Sequence, residues 1–251
     1  FSTAGTFKIT LRAINAAGSG TASQDVLVSP LGSFNGNIVL GSPTATSIKA
    51  NVFSPDQAGT VYIAYGKVQG ASDKRTTDAV LAAGEPLELV LEGLTGDMRY
   101  YYRLYFQTSG GTGSGPTEEY TFHTARPAGS TFTFCIQSDS HTEREDEFNR
   151  DLYTRTLLTA AADKPDFYLT LGDDFGIDNL ATPTVNHAQV IERYAIQRPF
   201  LGLIGHSAPV FLVNGNHEQA ARYLLKSPQG LYRRYASRQL SGGGGQLAML
   251  D

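Results

Sequence analysis

Tryptophan is absent from this chain of 251 residues, and cysteine occurs once, at Cys135. A single thiol excludes an internal disulfide, a thiolate zinc site and a redox pair. Cys135 stands in "TFTFCIQ", an apolar strand, so it reads as a buried, inert thiol. No apolar run approaches the ~20 residues that span a bilayer, and no membrane contact is expected. The opening "FSTAGTFKIT" has neither the basic region nor the apolar core of a signal peptide. Because the first residue is Phe rather than Met, the chain reads as a piece of something longer. Charge of one sign is missing too: 20 basic and 24 acidic residues are interspersed, giving a net −4. Without a Lys/Arg block, nucleic-acid binding by charge is not expected. The hydrophobic fraction of 41% is enough to give two or three small domains a core each.

What is present falls into two rhythms. In residues 1–30, Phe7, Ile9, Leu11 and Ala13 alternate with polar or small residues, "NAAGSG" turns the chain, and "DVLVSP" returns it as a second strand. A lone hairpin is only marginally stable, so this one is expected to be the tail of an antiparallel sandwich. Between residues 31 and 124, "SIKANVFSP", "GTVYIAYGK", "PLELVLEGL", "RYYYRLYFQTS" and "TEEYTFHTA" alternate between punctuating Gly, Pro, Ser and Asp. They predict an all-β sandwich. "ARPAGS" at 125–130 reads as a linker.

After Ser130 the chain alternates strand and helix. "FTFCI" leads to "QSDSH", "FYLTL" to "GDDF" and "APVFLV" to "NGNHE". A helix is predicted near residues 145–162, with Tyr153, Leu157, Ala160 and Ala161 on one face. A second carries Ile191, Tyr194 and Ala195 and is expected to be interrupted at Pro199. Apolar strands joined by helices imply a parallel sheet covered on both faces.

Residues just past the carboxyl ends of parallel strands gather at one edge of such a sheet, where ligands bind. All three strands end in groups able to hold a metal: Asp139 and His141, then Asp173, then Asn216 and His217. Carboxylate, imidazole and amide oxygen suit divalent manganese, iron or zinc better than calcium or structural zinc. Each motif alone is weak, and Asn-Gly pairs are usually turns. Three of them in order, each at a strand end, are far harder to obtain by accident.

Taken together, "SDSH…LGDDF…NGNHE" resembles the metallophosphoesterase superfamily, the calcineurin-like and purple-acid-phosphatase-like enzymes, over about residues 132–219. The resemblance implies two divalent or trivalent metal ions (Fe, Mn or Zn). Asp139 and His141 would bind the first, Asp173 would bridge both, and Asn216 would bind the second. His217 would contact the scissile phosphate and help protonate the leaving group. Gly172 and Gly215 match the motif glycines, and Glu218 reads as a loop or supporting residue. Upstream, "AGTFKITLRAINAAGSGTASQDVLV" resembles the last strands of PKD-type repeats. "LTGDMRYYYRL" resembles the corner of a fibronectin type III domain, in which Tyr100 would tie a loop to its strand. The sandwich also resembles the amino-terminal domain of the purple acid phosphatase branch.

The expected organisation is therefore multidomain: residues 1–30 as PKD-like strands, 31–126 as a fibronectin-like sandwich, and 127–251 as part of an α/β phosphoesterase domain, incomplete at its C-terminus. Two positions depart from the family pattern. Gly176 stands where the purple enzymes carry a tyrosine, so no such chromophore is expected. No histidine follows His217, and the glycine run at 242–245 looks unlike a domain end. The other three, His123, His187 and His206, read as structural or surface residues. The leading expectation is a secreted or cell-surface hydrolase of phosphate esters, with the fragment's own activity open. The alternative is an extracellular adhesion, scaffold or filament subunit that self-associates through its sandwich modules and carries a degenerate phosphoesterase unit.

Overall fold

A computed structural model describes residues 5–28, 34–109, 114–144, 146–176, 187–213 and 215–219. The fold is mostly β-sheet with few helices. First comes a hairpin, β1 (Gly5–Asn15) and β2 (Gly18–Val28), antiparallel from Gly5 opposite Val28 to Asn15 opposite Gly18. Ile9 and Leu11 on this hairpin are 46% and 70% exposed, so among the described residues nothing buries its apolar alternation.

Nine strands follow: β3 (Asn37–Gly41), β4 (Ser47–Phe53), β5 (Gly59–Gly66), β6 (Lys74–Arg75), β7 (Ala79–Leu81), β8 (Leu87–Glu92), β9 (Arg99–Thr108), β10 (Ser114–Pro116) and β11 (Tyr120–His123). They form two antiparallel sheets. One has the order β3-β4-β8, and the other centres on β5 and β9 and takes in β6, β7, β10 and β11. Alternate residues point inward. Ile38, Leu40, Ile48, Ala50 and Val52 of the first sheet share a core with Val61, Ile63, Tyr102, Leu104, Phe106 and Phe122 of the second. The Tyr100 hydroxyl accepts the Thr95 N–H at 2.9 Å, making the expected corner tie. Strand β3, "NIVLG", is too short and too continuously apolar to show alternation. It is buried from Ile38 to Gly41.

The remaining elements are β12 (Phe134–Gln137), α1 (Arg150–Ala162), β13 (Phe167–Thr170), α2 (His187–Gly205), β14 (Val210–Leu212) and the single turn α3 (Asn216–Gln219). Helix α1 starts later than expected because Asn149 caps it, its side-chain oxygen accepting the Leu152 N–H at 2.9 Å. Helix α2 is not interrupted at Pro199 but runs through it. Proline removes one helical hydrogen bond and crowds the preceding turn. Here the ring is exposed, while Tyr194, Phe200, Leu201 and Ile204 around it are buried in the core and hold the helix together.

Strands β12, β13 and β14 are parallel and adjacent in that order. Covering on both faces was expected, and among the described residues only one face is covered. Two successive right-handed crossovers stepping in the same direction put both helices on the same side. That side carries Cys135, Tyr168, Val210 and Leu212 against Leu157, Tyr194 and Ile204. On the other side Phe134 and Ile136 are 42% and 53% exposed. Cys135 is half-buried rather than buried, and burial raises its pKa, which leaves it a poor nucleophile.

The parallel sheet and the sandwich are not separately packed. Val39 and Phe53 belong to the same buried cluster as the helices. Helix α2 lies close against β3 because Gly202 and Gly205 face it. A Cβ at Gly202 would come within 2.8 Å of Asn37 Cβ, and one at Gly205 within 3.2 Å of Val39 Cγ1. Arg198, 1% exposed, donates through Nε to Asn37 Oδ1 at 2.5 Å and through Nη2 to Asn51 O at 2.7 Å. Tyr102 donates its hydroxyl to His206 O at 2.6 Å, and the His206 ring stacks on Tyr120 at 4.3 Å. Arg198→Met keeps an unbranched side chain but leaves the half-buried Asn37 Oδ1 and the buried Asn51 O without these donors. It should lower unfolding free energy by about 2–4 kcal/mol in urea titration. Gly202→Ala should cost about 1–3 kcal/mol by crowding Asn37.

Candidate functional site

The loops after β12 and β13 continue side by side beyond their strands. Leu171 N–H donates to Gln137 O at 2.8 Å, Asp139 N–H to Gly172 O at 3.0 Å, His141 N–H to Asp173 O at 3.3 Å and Thr142 N–H to Asp174 O at 3.2 Å. This ladder holds an unusual backbone. Asp139, His141 and Asp173 all have positive φ, at 57°, 42° and 54°, a conformation that costs a residue with a Cβ roughly 1–2 kcal/mol. Gly172 sits at φ 96°, where no Cβ is strained. Ser42, Asp97 and Lys164 also have positive φ elsewhere in the fold, while the other three such residues are sequence-predicted site residues side by side in these two loops.

The third loop is brought in by Glu218. Its carboxylate is buried and accepts four amides: Asp173 N–H at 2.9 Å and Gly215 N–H at 2.8 Å on Oε2, with Asp174 N–H at 2.7 Å and Phe175 N–H at 3.5 Å on Oε1. Asp173 Oδ1 in turn accepts the His217 N–H at 2.8 Å. Gly215 packs so tightly here that a Cβ would lie 2.1 Å from Asp173 Oδ1. The motif glycine is therefore required by the approach of two loops. The rings of His141 and His217 meet edge to face with centroids 4.7 Å apart, joining the first motif to the third.

Asn216 opens α3, and its side chain lies outside the described residues, as does that of His187. Asp139 accepts the Ser138 hydroxyl on Oδ2. Among the described residues, Asp173 Oδ2 and His141 Nε2 take part in no hydrogen bond. Carboxylate oxygens and an imidazole nitrogen of this kind fit a manganese, iron or zinc ion. No three His, Cys, Asp or Glu side chains of the described residues close on a common point. An open cavity of about 510 Å³ adjoins Asp139 and His141, lined on its far side by Arg144, Phe148, Leu152 and Tyr153.

Several participants carried no sequence signal. Asp174 is fully buried beside Asp173, its Oδ1 accepting Gln137 Nε2 and the Ser140 hydroxyl, both at 3.1 Å. Burial, with nearby Glu218 adding repulsion, pushes its pKa up to about 7. Glu218 is itself raised by burial, offset by the amides it accepts. Glu143 Oε1 lies 3.2 Å from His141 Nδ1 and accepts the Gly176 N–H. "GDDF" and "HTE" show two acidic positions that could have been followed, but burial cannot be read from them. His123 lies between Asp97 and Asp166, at 3.7 and 3.8 Å, far along the chain from the motifs.

With this geometry in hand, known proteins can be compared. No family model matches the chain, and no curated protein sequence matches it. Among solved structures, purple acid phosphatase PPD1 from yellow lupin (Lupinus luteus) seeds is similar, with TM-score 0.53 and 16% identity over 86% of this chain. The chain spans 41% of the length of that phosphatase. The likeness supports a phosphoesterase-like fold. Smaller matches include the fn3 domain of human collagen alpha-1(XX) chain, with TM-score 0.31, 18% identity, 39% of this chain and 88% of that one. The FN5 domain of Drosophila Lar has TM-score 0.28, 19% identity, 36% of this chain and 94% of that one.

Two outcomes follow for metal-free protein. The raised Asp174 pKa means the folded state holds a proton that the unfolded state releases, so this group withdraws stability as pH rises from about 4 to about 7. Asp174→Asn should melt higher than the parent at pH 8, by on the order of a few kcal/mol, with the gap closing toward pH 4 in thermal scans. Glu218→Gln places an amide donor against amide donors. It should cost about 2–3 kcal/mol and speed hydrogen exchange at residues 173–175.

Proposed function

We propose that this site hydrolyses phosphate esters with metal assistance. The observation that carries the reading is the convergence of three loops at the carboxyl edge of one parallel sheet, with strained Asp139, His141 and Asp173 side by side and Glu218 drawing the Gly215–His217 turn onto them. A phosphoesterase-like fold supports it. Asp139, His141, Asp173 and Asn216 would hold the metals, with Asp173 placed centrally because it touches both neighbouring loops. When bound, a metal pair supplies charge for phosphate oxygens and an acidified water.

The chain's own residues have separable tasks. Asp173 keeps Oδ1 on the His217 amide, which fixes its carboxylate while Oδ2 stays available. His217, packed edge to face with His141, would hold a proton for the departing alkoxide oxygen. The cavity beside Asp139 gives the ester's leaving group an apolar wall of Phe148 and Leu152 and a cation, Arg144. An extracellular setting, with the sandwich modules as attachment or self-association surfaces, belongs to the same proposal.

The test uses the full-length protein, an aryl phosphate and added manganese, zinc or iron. Turnover should appear with close to two metals per chain by elemental analysis, and Asp173→Ala and Asn216→Ala should each lower it by roughly a hundredfold or more. Hydrolysis that survives both substitutions would sink this assignment of the site.

A further inference from the structure

Glu143 is two residues beyond His141, and its side chain is 0% exposed. Its Oε1 lies 3.2 Å from His141 Nδ1 and accepts the Gly176 N–H at 2.7 Å. Gly176 is on the loop after β13, so this carboxylate bridges the first two loops much as Glu218 bridges the second and third. Its other oxygen, Oε2, is buried without a hydrogen-bond partner among the described residues. Arg144 Nε is 3.8 Å from Oε1, too far for a hydrogen bond. A buried carboxylate with one orphaned oxygen is costly, and the fold carries that cost at this position.

A neutral imidazole bears one proton, on Nδ1 or Nε2, and the partner of one nitrogen decides the state of the other. Oε1 is already an acceptor toward Gly176, and the same oxygen faces Nδ1. A proton on Nδ1 satisfies that contact, whereas a lone pair there would face a lone pair. Nε2 is then left as the unprotonated nitrogen, and it makes no hydrogen bond among the described residues. Free histidine in water favours the opposite form, with the proton on Nε2. We infer that Glu143 is a positioning residue that holds His141 in the Nδ1–H tautomer and so presents Nε2 as a metal donor. The inference rests on the phosphoesterase reading only for what His141 serves. The tautomer itself depends on neither metal nor substrate.

The experiment is long-range ¹H–¹⁵N NMR of the imidazoles in metal-free protein at pH 8, with His206 as an internal reference away from Glu143. His141 should show a protonated Nδ1 and a lone-pair Nε2. Glu143→Gln retains a carbonyl acceptor and should preserve that pattern, while Glu143→Ala should shift His141 toward Nε2–H and leave His206 unchanged. Zinc affinity measured by calorimetry should fall about 10–100-fold in Glu143→Ala and less in Glu143→Gln. Far-ultraviolet circular dichroism checks that each variant folds, and Glu143→Gln keeps the test decisive should the alanine variant not fold. A parent His141 in the Nε2–H or imidazolium form overturns the inference, as does Nδ1–H persisting in Glu143→Ala. Loss of the phosphoesterase reading through an unaffected Asp173→Ala would leave the tautomer result standing, so the two failures are distinguishable.

Discussion

One buried carboxylate organises the loop edge of the parallel sheet. Glu218 accepts amide N–H groups from Asp173, Asp174 and Gly215, with Phe175 at the limit of reach, and so fastens the turn after β14 to the loop after β13. Burying a charged carboxylate is unfavourable by itself, and several amide donors are what make it tolerable. The approach of the third loop follows from that clasp. Gly215 must lack a side chain because the clasp pulls its backbone against Asp173. The His217 amide reaches Asp173 Oδ1, and the His217 ring comes to rest against His141. Three residues with left-handed backbone remain in place because hydrogen bonds on both sides over-determine them.

Behind the loops, the scaffold gains rigidity from a seam that joins the two kinds of sheet. Helix α2 covers the parallel sheet with one side and lies on β3 of the sandwich with another, approaching closely at Gly202 and Gly205. Arg198 bonds across this seam to neutral oxygens of Asn37 and Asn51, and the Arg198 guanidinium stands over the Phe53 ring at 5.9 Å. The sandwich therefore acts as a support for the helix that supports the sheet. A loop edge built on such a base can hold strained residues, because packed cores deform in discrete steps rather than continuously.

Much of this was legible in the sequence, and the omissions have physical causes. The period-two runs located β4, β5, β8 and β9 because burial alternates along part or all of each strand. Strand β3 escaped because it is buried on both sides, one against the sandwich core and one against α2, and has no alternation to read. Pro199 read as a helix break because local propensity sees only the lost hydrogen bond. The buried residues around it decide otherwise. The two-sided cover expected for a parallel sheet depends on crossover direction, which no window of sequence contains.

The site divides in the same way. The order of its motifs, the strand ends they follow and the residue types at Asp139, His141, Asp173, Asn216 and His217 are properties of the chain read in one dimension, because they depend on local pattern and donor chemistry. Which carboxylate clasps which loop is not. Glu143 looks like any other acidic residue in "HTER" and Glu218 reads only as a loop or supporting residue in "NHEQ", and their bridging roles arise only when residues about 33 and 45 positions away supply amides to them. The sequence by itself determined the chemistry at the strand ends. The tertiary structure alone decided which buried oxygen meets which amide, since desolvation is imposed by packing and packing is not local.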